Sequence, residues 1–141
     1  MSYASALEAA GAKVIDEHWS GDYQGTWIML VVYNGKLGYV SGWYGSCSGC
    51  DSYEAEMSYS MPYEHSYDNE DDFRVAMEQW EMRLAEFGRG YLGEDGSDLY
   101  TYDEILKENS DPRWDGDMEN KEKVEWIKST ERYFHMAALP V

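Results

Sequence analysis

Thr26-Trp27-Ile28-Met29-Leu30-Val31-Val32-Tyr33-Asn34-Gly35-Lys36-Leu37-Gly38-Tyr39-Val40-Ser41-Gly42-Trp43-Tyr44 consists of two β-branched and aromatic runs separated by Asn-Gly. Such a pair favours a type I′ hairpin, because both turn residues must adopt positive φ and Asn and Gly do so most readily. That turn sets the register: Tyr33 falls opposite Lys36, Leu30 opposite Tyr39 and Ile28 opposite Ser41. One face then carries Ile28, Leu30, Val32, Leu37 and Tyr39, and the other Trp27, Met29, Val31 and Val40. Both faces are apolar, so the hairpin is expected to be covered on both sides or extended by another strand.

Working back towards the N-terminus, Ser20 to Gly25 has loop composition and Val14-Ile15 is expected to begin a strand. Ala4 to Ala10 is rich in Ala, Leu and Glu, and Gly11 stands where a helix C-cap would fall. Beyond the hairpin, Gly42 to Gly49 is a Gly- and Ser-rich loop, and Asp51 with Glu54 has capping-box spacing. Tyr53, Tyr59, Tyr63 and Tyr67 follow, interrupted by Pro62, which argues against one continuous helix.

Asp72 to Phe87 carries the stripe of an amphipathic helix: Phe73, Met77, Trp80, Leu84 and Phe87. Asn69 or Asp68 can cap it, Asp71 and Asp72 suit its N-terminal dipole, and Gly88 is expected to end it. Thr101 with Glu104 repeats the capping-box spacing and opens a short helix to about Glu108. After Asp111-Pro112, a final helix from about Asn120 to Ala137 places Val124, Ile127, Phe134 and Ala138 on one side. With no internal repeat and no linker, the expectation is a single α+β domain over residues 1–141, an antiparallel hairpin or sheet packed by amphipathic helices.

Charge narrows the function classes. The 141 residues include 11 basic and 28 acidic side chains, a net charge of −17. A nucleic-acid binder needs a basic stripe to displace counterions from phosphates, and none is present. No cation lies between Lys36 and Arg74, a stretch carrying Asp51, Glu54, Glu56, Glu64, Asp68, Glu70, Asp71 and Asp72. A second acidic region runs from Glu94 to Glu119 against only Lys107 and Arg113. Direct binding to DNA, RNA or an anionic membrane is disfavoured, and attraction to a basic surface is favoured. Hydrophobic residues at 43% and aromatics at 16% exclude a disordered acidic tail. No apolar run approaches the roughly 18 residues of a membrane span. The first residues lack the charged start and apolar core of a signal peptide, so a cytoplasmic protein is expected.

Cys47-Ser48-Gly49-Cys50 has CxxC spacing, which suits a redox pair or half a zinc site. The carboxylates Asp51, Glu54 and Glu56 oppose a thiolate, and only His18, His65 and His135 could complete a zinc shell. The plainer reading is a tight turn whose cysteines serve as packing atoms. Asp111 to Glu122 follows a 12-residue calcium loop, with Asp111, Asp115, Asp117, Glu119 and Glu122 at ligand positions and Gly116 at the turn. Arg113 sits where an oxygen ligand belongs, and the plainer reading is a solvated loop capping the last helix. His18 is expected in a strand or loop, and His135 on the last helix as a surface or core-edge side chain. The chain lacks a nucleophile elbow, a P-loop and a GxGxxG motif.

Asp22-Tyr23-Gln24-Gly25, the hairpin and Tyr44-Gly45-Ser46-Cys47-Ser48-Gly49-Cys50-Asp51 together resemble a segment of small uncharacterised bacteriophage and bacterial proteins. The resemblance covers roughly 30 of the 141 residues. It implies a phage or bacterial source and carries over no catalytic residue.

These readings lead to the expectation of a non-enzymatic acidic binding protein, phage-encoded, that occupies a basic surface of a host protein. A DNA mimic or anti-defence inhibitor has this chemistry, with carboxylates standing in for phosphates. The partner-binding face is expected to comprise Glu54, Glu56, Tyr59, Tyr63, Glu64, Tyr67, Asp68, Glu70, Asp71 and Asp72, the tyrosines supplying contact area at low entropic cost. The competing explanation of the charge is solubility alone. The alternative function is a small metal-binding regulator or enzyme using Cys47 and Cys50 for zinc, or the calcium-like loop. A virion structural role finds neither a coiled coil nor a repeat to rest on.

Overall fold

Asn34 and Gly35 stand at φ 52° and 77°, the paired left-handed conformations a type I′ turn requires. The strands on either side pair in the expected register, with Tyr33 opposite Lys36, Leu30 opposite Tyr39 and Ile28 opposite Ser41. The computed structural model describes residues 3–22, 24–45, 51–57, 61–111, 113 and 116–136. In chain order these form α1 (Tyr3–Ala9), β1 (Lys13–Gly21), β2 (Gly25–Tyr33), β3 (Lys36–Tyr44), α2 (Ser52–Glu56), α3 (Glu70–Leu92), α4 (Tyr102–Asn109) and α5 (Met118–Ser129). Short 3₁₀ turns at Pro62–Glu64, Glu94–Gly96 and Thr130–His135 complete an α+β fold. No helix among the described residues is long and apolar enough to cross a membrane.

The hairpin is both extended and covered. β1 adds an antiparallel strand beside β2, giving a three-stranded sheet in the order β1-β2-β3. Its N-terminal part carries a bulge between Val14 and Asp16. The loop expected from Ser20 to Gly25 is shorter, because Ser20 pairs with Thr26 and Gly21 with Gly25. Likewise β3 continues through Gly42, Trp43 and Tyr44, which pair with Trp27, Thr26 and Gly25. At Tyr100 the chain returns to the edge of β3: the amide of Tyr39 donates to the Tyr100 carbonyl and the amide of Tyr100 to the Tyr39 carbonyl, each at 2.9 Å.

Each face of the sheet has its own core. Trp27, Met29, Val31 and Val40 pack with Tyr3, Ala6 and Leu7 of α1 and Trp80, Leu84 and Leu92 of α3. On the opposite face Ile28, Leu30 and Tyr39 pack with Ile105 of α4 and Ile127 of α5. Burying each large apolar side chain stabilises the fold by about 1.5–3 kcal/mol. The two-sided coverage explains why β2 reads as an uninterrupted apolar run and not as an alternation.

Helix ends follow local chemistry, with two corrections. Asn69 caps α3 by accepting from the Asp72 amide at 2.9 Å, and Thr101 with Glu104 forms a reciprocal capping box on α4. Gly88, however, does not end α3. The helix runs on to Leu92 and stops at Gly93. Gly88 is where α1 crosses: a β-carbon there would stand 2.0 Å from the carbonyl oxygen of Ala6. The last helix also differs. It starts at Met118, two residues earlier than expected, because Asp117 caps it by accepting from the amides of Glu119 and Asn120. It tightens into a 3₁₀ turn after Ser129, where the buried Thr130 hydroxyl donates back to the Ile127 carbonyl at 2.6 Å. Ile127 is fully buried, Val124 half-buried and Phe134 at the surface, while Ala137 and Ala138 lie outside the described residues.

Candidate functional site

The acidic segment between β3 and α3 is organised around Asp51. Its carboxylate accepts from the amides of Tyr53 and Glu54 at 2.9 and 3.2 Å, capping α2, and from the Gly45 amide at 3.0 Å. The Tyr3 hydroxyl donates to it at 2.5 Å from α1. Only 8% of Asp51 is exposed, so this carboxylate is part of the scaffold and not of the acidic surface. Burial and the hydrogen bond to Asp51 push the Tyr3 phenol up to about 12. Around it Tyr53, Phe87 and Tyr91 close an aromatic cluster on Tyr3 with ring centroids 5.6–5.9 Å away.

From α2 the chain passes through the Pro62–Glu64 turn to the start of α3. Phe73 joins the two pieces: the rings of Tyr63 and Tyr67 lie 5.7 and 5.6 Å from it. Tyr63 keeps 69% of its surface exposed, whereas Tyr67 is half-buried. Asp68, Glu70, Asp71 and Asp72 are exposed around the N-terminus of α3, where the helix dipole favours negative charge. Glu56 is exposed at the end of α2 and Glu54 is half-exposed. The backbone of Glu64 ends the 3₁₀ turn. Thus Asp68, Glu70, Asp71, Asp72 and Tyr63 share one corner of the molecule, with Glu54 and Glu56 on the neighbouring helix. Tyr59 lies outside the described residues.

Two cations of α3 reach this segment. Arg74 pairs with Glu78 at 3.0 Å and approaches Asp71 at 4.0 Å, one turn apart on α3. Arg83 donates to the Glu56 carbonyl at 3.3 Å, bridging α3 to α2. A cleft of about 490 Å³ opens there, lined by Glu56, Arg83 and Glu86 among others. The Arg74 spacing of three and four was available in the sequence. The Arg83 contact depends on how α2 packs and had no linear signal.

The calcium-like loop is assembled differently. Arg113, at the position where an oxygen ligand was needed, donates to the Asp111 carboxylate through its amide, Nε and Nη2 at 2.9, 3.1 and 2.8 Å. These hydrogen bonds hold the Asp111 carboxyl below its ordinary range. Asp117 is the α5 cap, and Glu119 and Glu122 lie within that helix. Asp115 lies outside the described residues, as do Cys47 and Cys50, on which the zinc reading rests. Among the described residues no group of three or more His, Cys, Asp and Glu side chains is placed to hold a metal ion. His18 lies in β1 with its ring stacked 5.6 Å from Trp126, and burial lowers its basicity. His135 is exposed on the last 3₁₀ turn, 3.6 Å from Glu131.

No family model matches this chain, and neither the curated proteins nor the solved structures contain a match to it.

Proposed function

We propose that this protein is a non-enzymatic acidic interaction module, phage-encoded, that occupies a basic, nucleic-acid-binding surface of a host protein. The observation that carries the reading is the capped start of α3, where Asp68, Glu70, Asp71 and Asp72 are exposed side by side on a fixed helix end beside Tyr63. Carboxylates held on a rigid element offer a groove built for phosphates the charge it attracts, without the cost of ordering a flexible tail. The overall charge of −17 strengthens the long-range attraction, and Tyr63 supplies an amphipathic contact surface within the patch. The resemblance of residues 22–51 to phage and bacterial proteins supports the source.

The test uses the tagged full chain to capture a host protein at low salt, followed by affinity measurements on the purified pair. The quadruple variant Asp68→Asn, Glu70→Gln, Asp71→Asn and Asp72→Asn is expected to bind at least about tenfold more weakly, mainly through slower association. Rising salt should weaken the wild-type complex through screening, and duplex DNA should compete for the captured partner. A partner whose affinity is indifferent to salt, to DNA and to the quadruple substitution would overturn the proposal.

A further inference from the structure

The outer edge of β3 is paired over only part of its length. Along an antiparallel strand, every second residue turns its N–H and C=O groups away from the partner strand. Tyr39 is one of these, and Tyr100 meets its amide and its carbonyl at 2.9 Å each. In the unbroken register with β2, Ser41 and Trp43 are the next two. No described residue bonds to their outward backbone groups. The other edge of the sheet is blunted. On β1 the Asp16 carboxylate accepts from the Glu17 amide at 2.8 Å, a bulge interrupts the strand between Val14 and Asp16, and Glu17 is exposed. Such devices keep foreign strands from pairing with an edge. Over residues 41–44, β3 has neither a bulge nor a charge, and Trp43 stands 73% exposed.

A cleft of about 420 Å³ opens at this open edge, lined by Val40 and Ser41 of β3, Tyr91 of α3, Tyr100 and Glu104 of α4. It therefore lies at the side of the sheet, between the helical layers that cover the two faces. The charged side chains lining it are Asp98 and Glu104, both exposed. The Thr101 amide donates to the Glu104 carboxylate at 2.9 Å and favours its charged form. Unpaired amides and carbonyls at strand spacing are met best by another extended backbone. The two carboxylates, within a chain of net charge −17, select a segment with positive side chains and repel a second copy of the same chain.

We infer that this edge adds an extended, basic segment of a partner protein as a further strand, its backbone bonded to Ser41 and Trp43 and its cations drawn to Asp98 and Glu104. The site uses none of the residues at the start of α3 and does not rest on the reading given for them. Calorimetric titration of the full chain with the capped peptide Lys-Val-Lys-Val-Lys-Val should show saturable binding that weakens with salt. The peptide Glu-Val-Glu-Val-Glu-Val should show none. Of two analogues of the basic peptide, N-methylated at the lysines or at the valines, at least one should bind about tenfold more weakly, because an edge donor is lost. Hydrogen exchange should find the Ser41 and Trp43 amides unprotected in the free chain and slowed in the complex. Ser41→Pro removes an outward amide, leaves the bonds to β2 in place, and should weaken binding about tenfold. Asp98→Asn with Glu104→Gln, which keeps a capping residue on α4, should weaken binding and flatten its salt dependence. The analogues keep the test decisive even if a variant fails to fold. Absence of binding by the basic peptide would overturn the inference, as would equal binding by the acidic one or by both methylated analogues. Edge amides already protected in the free chain, with a dimer in sedimentation, would assign the edge to a second copy and overturn it too.

Discussion

The Tyr3 hydroxyl and the Asp51 carboxylate, 48 positions apart, meet at 2.5 Å and tie α1 to the cap of α2. Tyr3 also contacts Trp27 of the sheet at a ring distance of 4.9 Å. One phenol therefore joins the N-terminal helix, the sheet and the foot of the acidic segment.

Its titration should be visible in stability. Burial raises Tyr3 to about 12, and burial raises Tyr39 to about 12 on the other face. Both lie above the ordinary tyrosine value of about 10. A raised folded-state value means the contribution is complete below pH 10 and disappears as pH climbs towards 12. Denaturant midpoints should fall across that window, in step with tyrosinate absorbance. Tyr3→Phe should cost about 1.5–3 kcal/mol at neutral pH and flatten the alkaline decline. An unchanged alkaline limb would remove Tyr3 as its cause.

Gly88 and Gly90 make a paired test within α3. A β-carbon at Gly88 would collide with the Ala6 backbone, whereas one at Gly90 meets nothing within 4 Å. Gly88→Ala should therefore destabilise the protein by about 3 kcal/mol or more by forcing α1 away. Gly90→Ala should stabilise it by about 0.5–1 kcal/mol through helix propensity. Equal effects in chemical denaturation would contradict the crossing described here.

Trp80 is 5% exposed and its indole N–H donates to the Met57 carbonyl at 3.4 Å, so it anchors α3 to the end of α2. Trp80→Ala should cost about 3–5 kcal/mol. A loss below about 1 kcal/mol would mean that the stripe does not carry the core.

Tyr39 and Thr130 form a buried pair at 2.6 Å. The threonine proton goes to the Ile127 carbonyl, so the tyrosine is the donor to Thr130. Thr130→Val should leave that phenol without an acceptor and cost about 1–3 kcal/mol. Adding Tyr39→Phe should recover part of the loss, and a double-mutant cycle measures the coupling. Strictly additive losses would show that the two hydroxyls act independently.

The hairpin was readable because Asn34-Gly35 fixes both turn and register locally. The two apolar faces of β2 similarly announced two covering layers. The caps at Asp51, Asn69 and Thr101 were legible because capping depends on residues within three positions. Gly88 was misread because a glycine at a helix stop and one at a helix crossing look alike in a linear sequence. Only the approach of Ala6 separates them. The end of α5 escaped for a similar reason, since Thr130 answers to Tyr39 from another strand. Among the acidic residues, sequence gave the charge and not its accessibility. Asp51 is withdrawn into the scaffold, while Arg74 and Arg83 reach the segment from α3.

The two-sided sheet also sets an order of events during synthesis. Its three strands are complete once residue 44 has emerged from the ribosome, but α3, which covers one face, is complete only at Leu92. The helices over Ile28, Leu30 and Tyr39 follow later still, ending at Ser129. A nascent chain whose α3 has emerged but whose later helices have not therefore presents a finished sheet with one apolar face open to solvent. That intermediate is the form of this protein with most need of a chaperone.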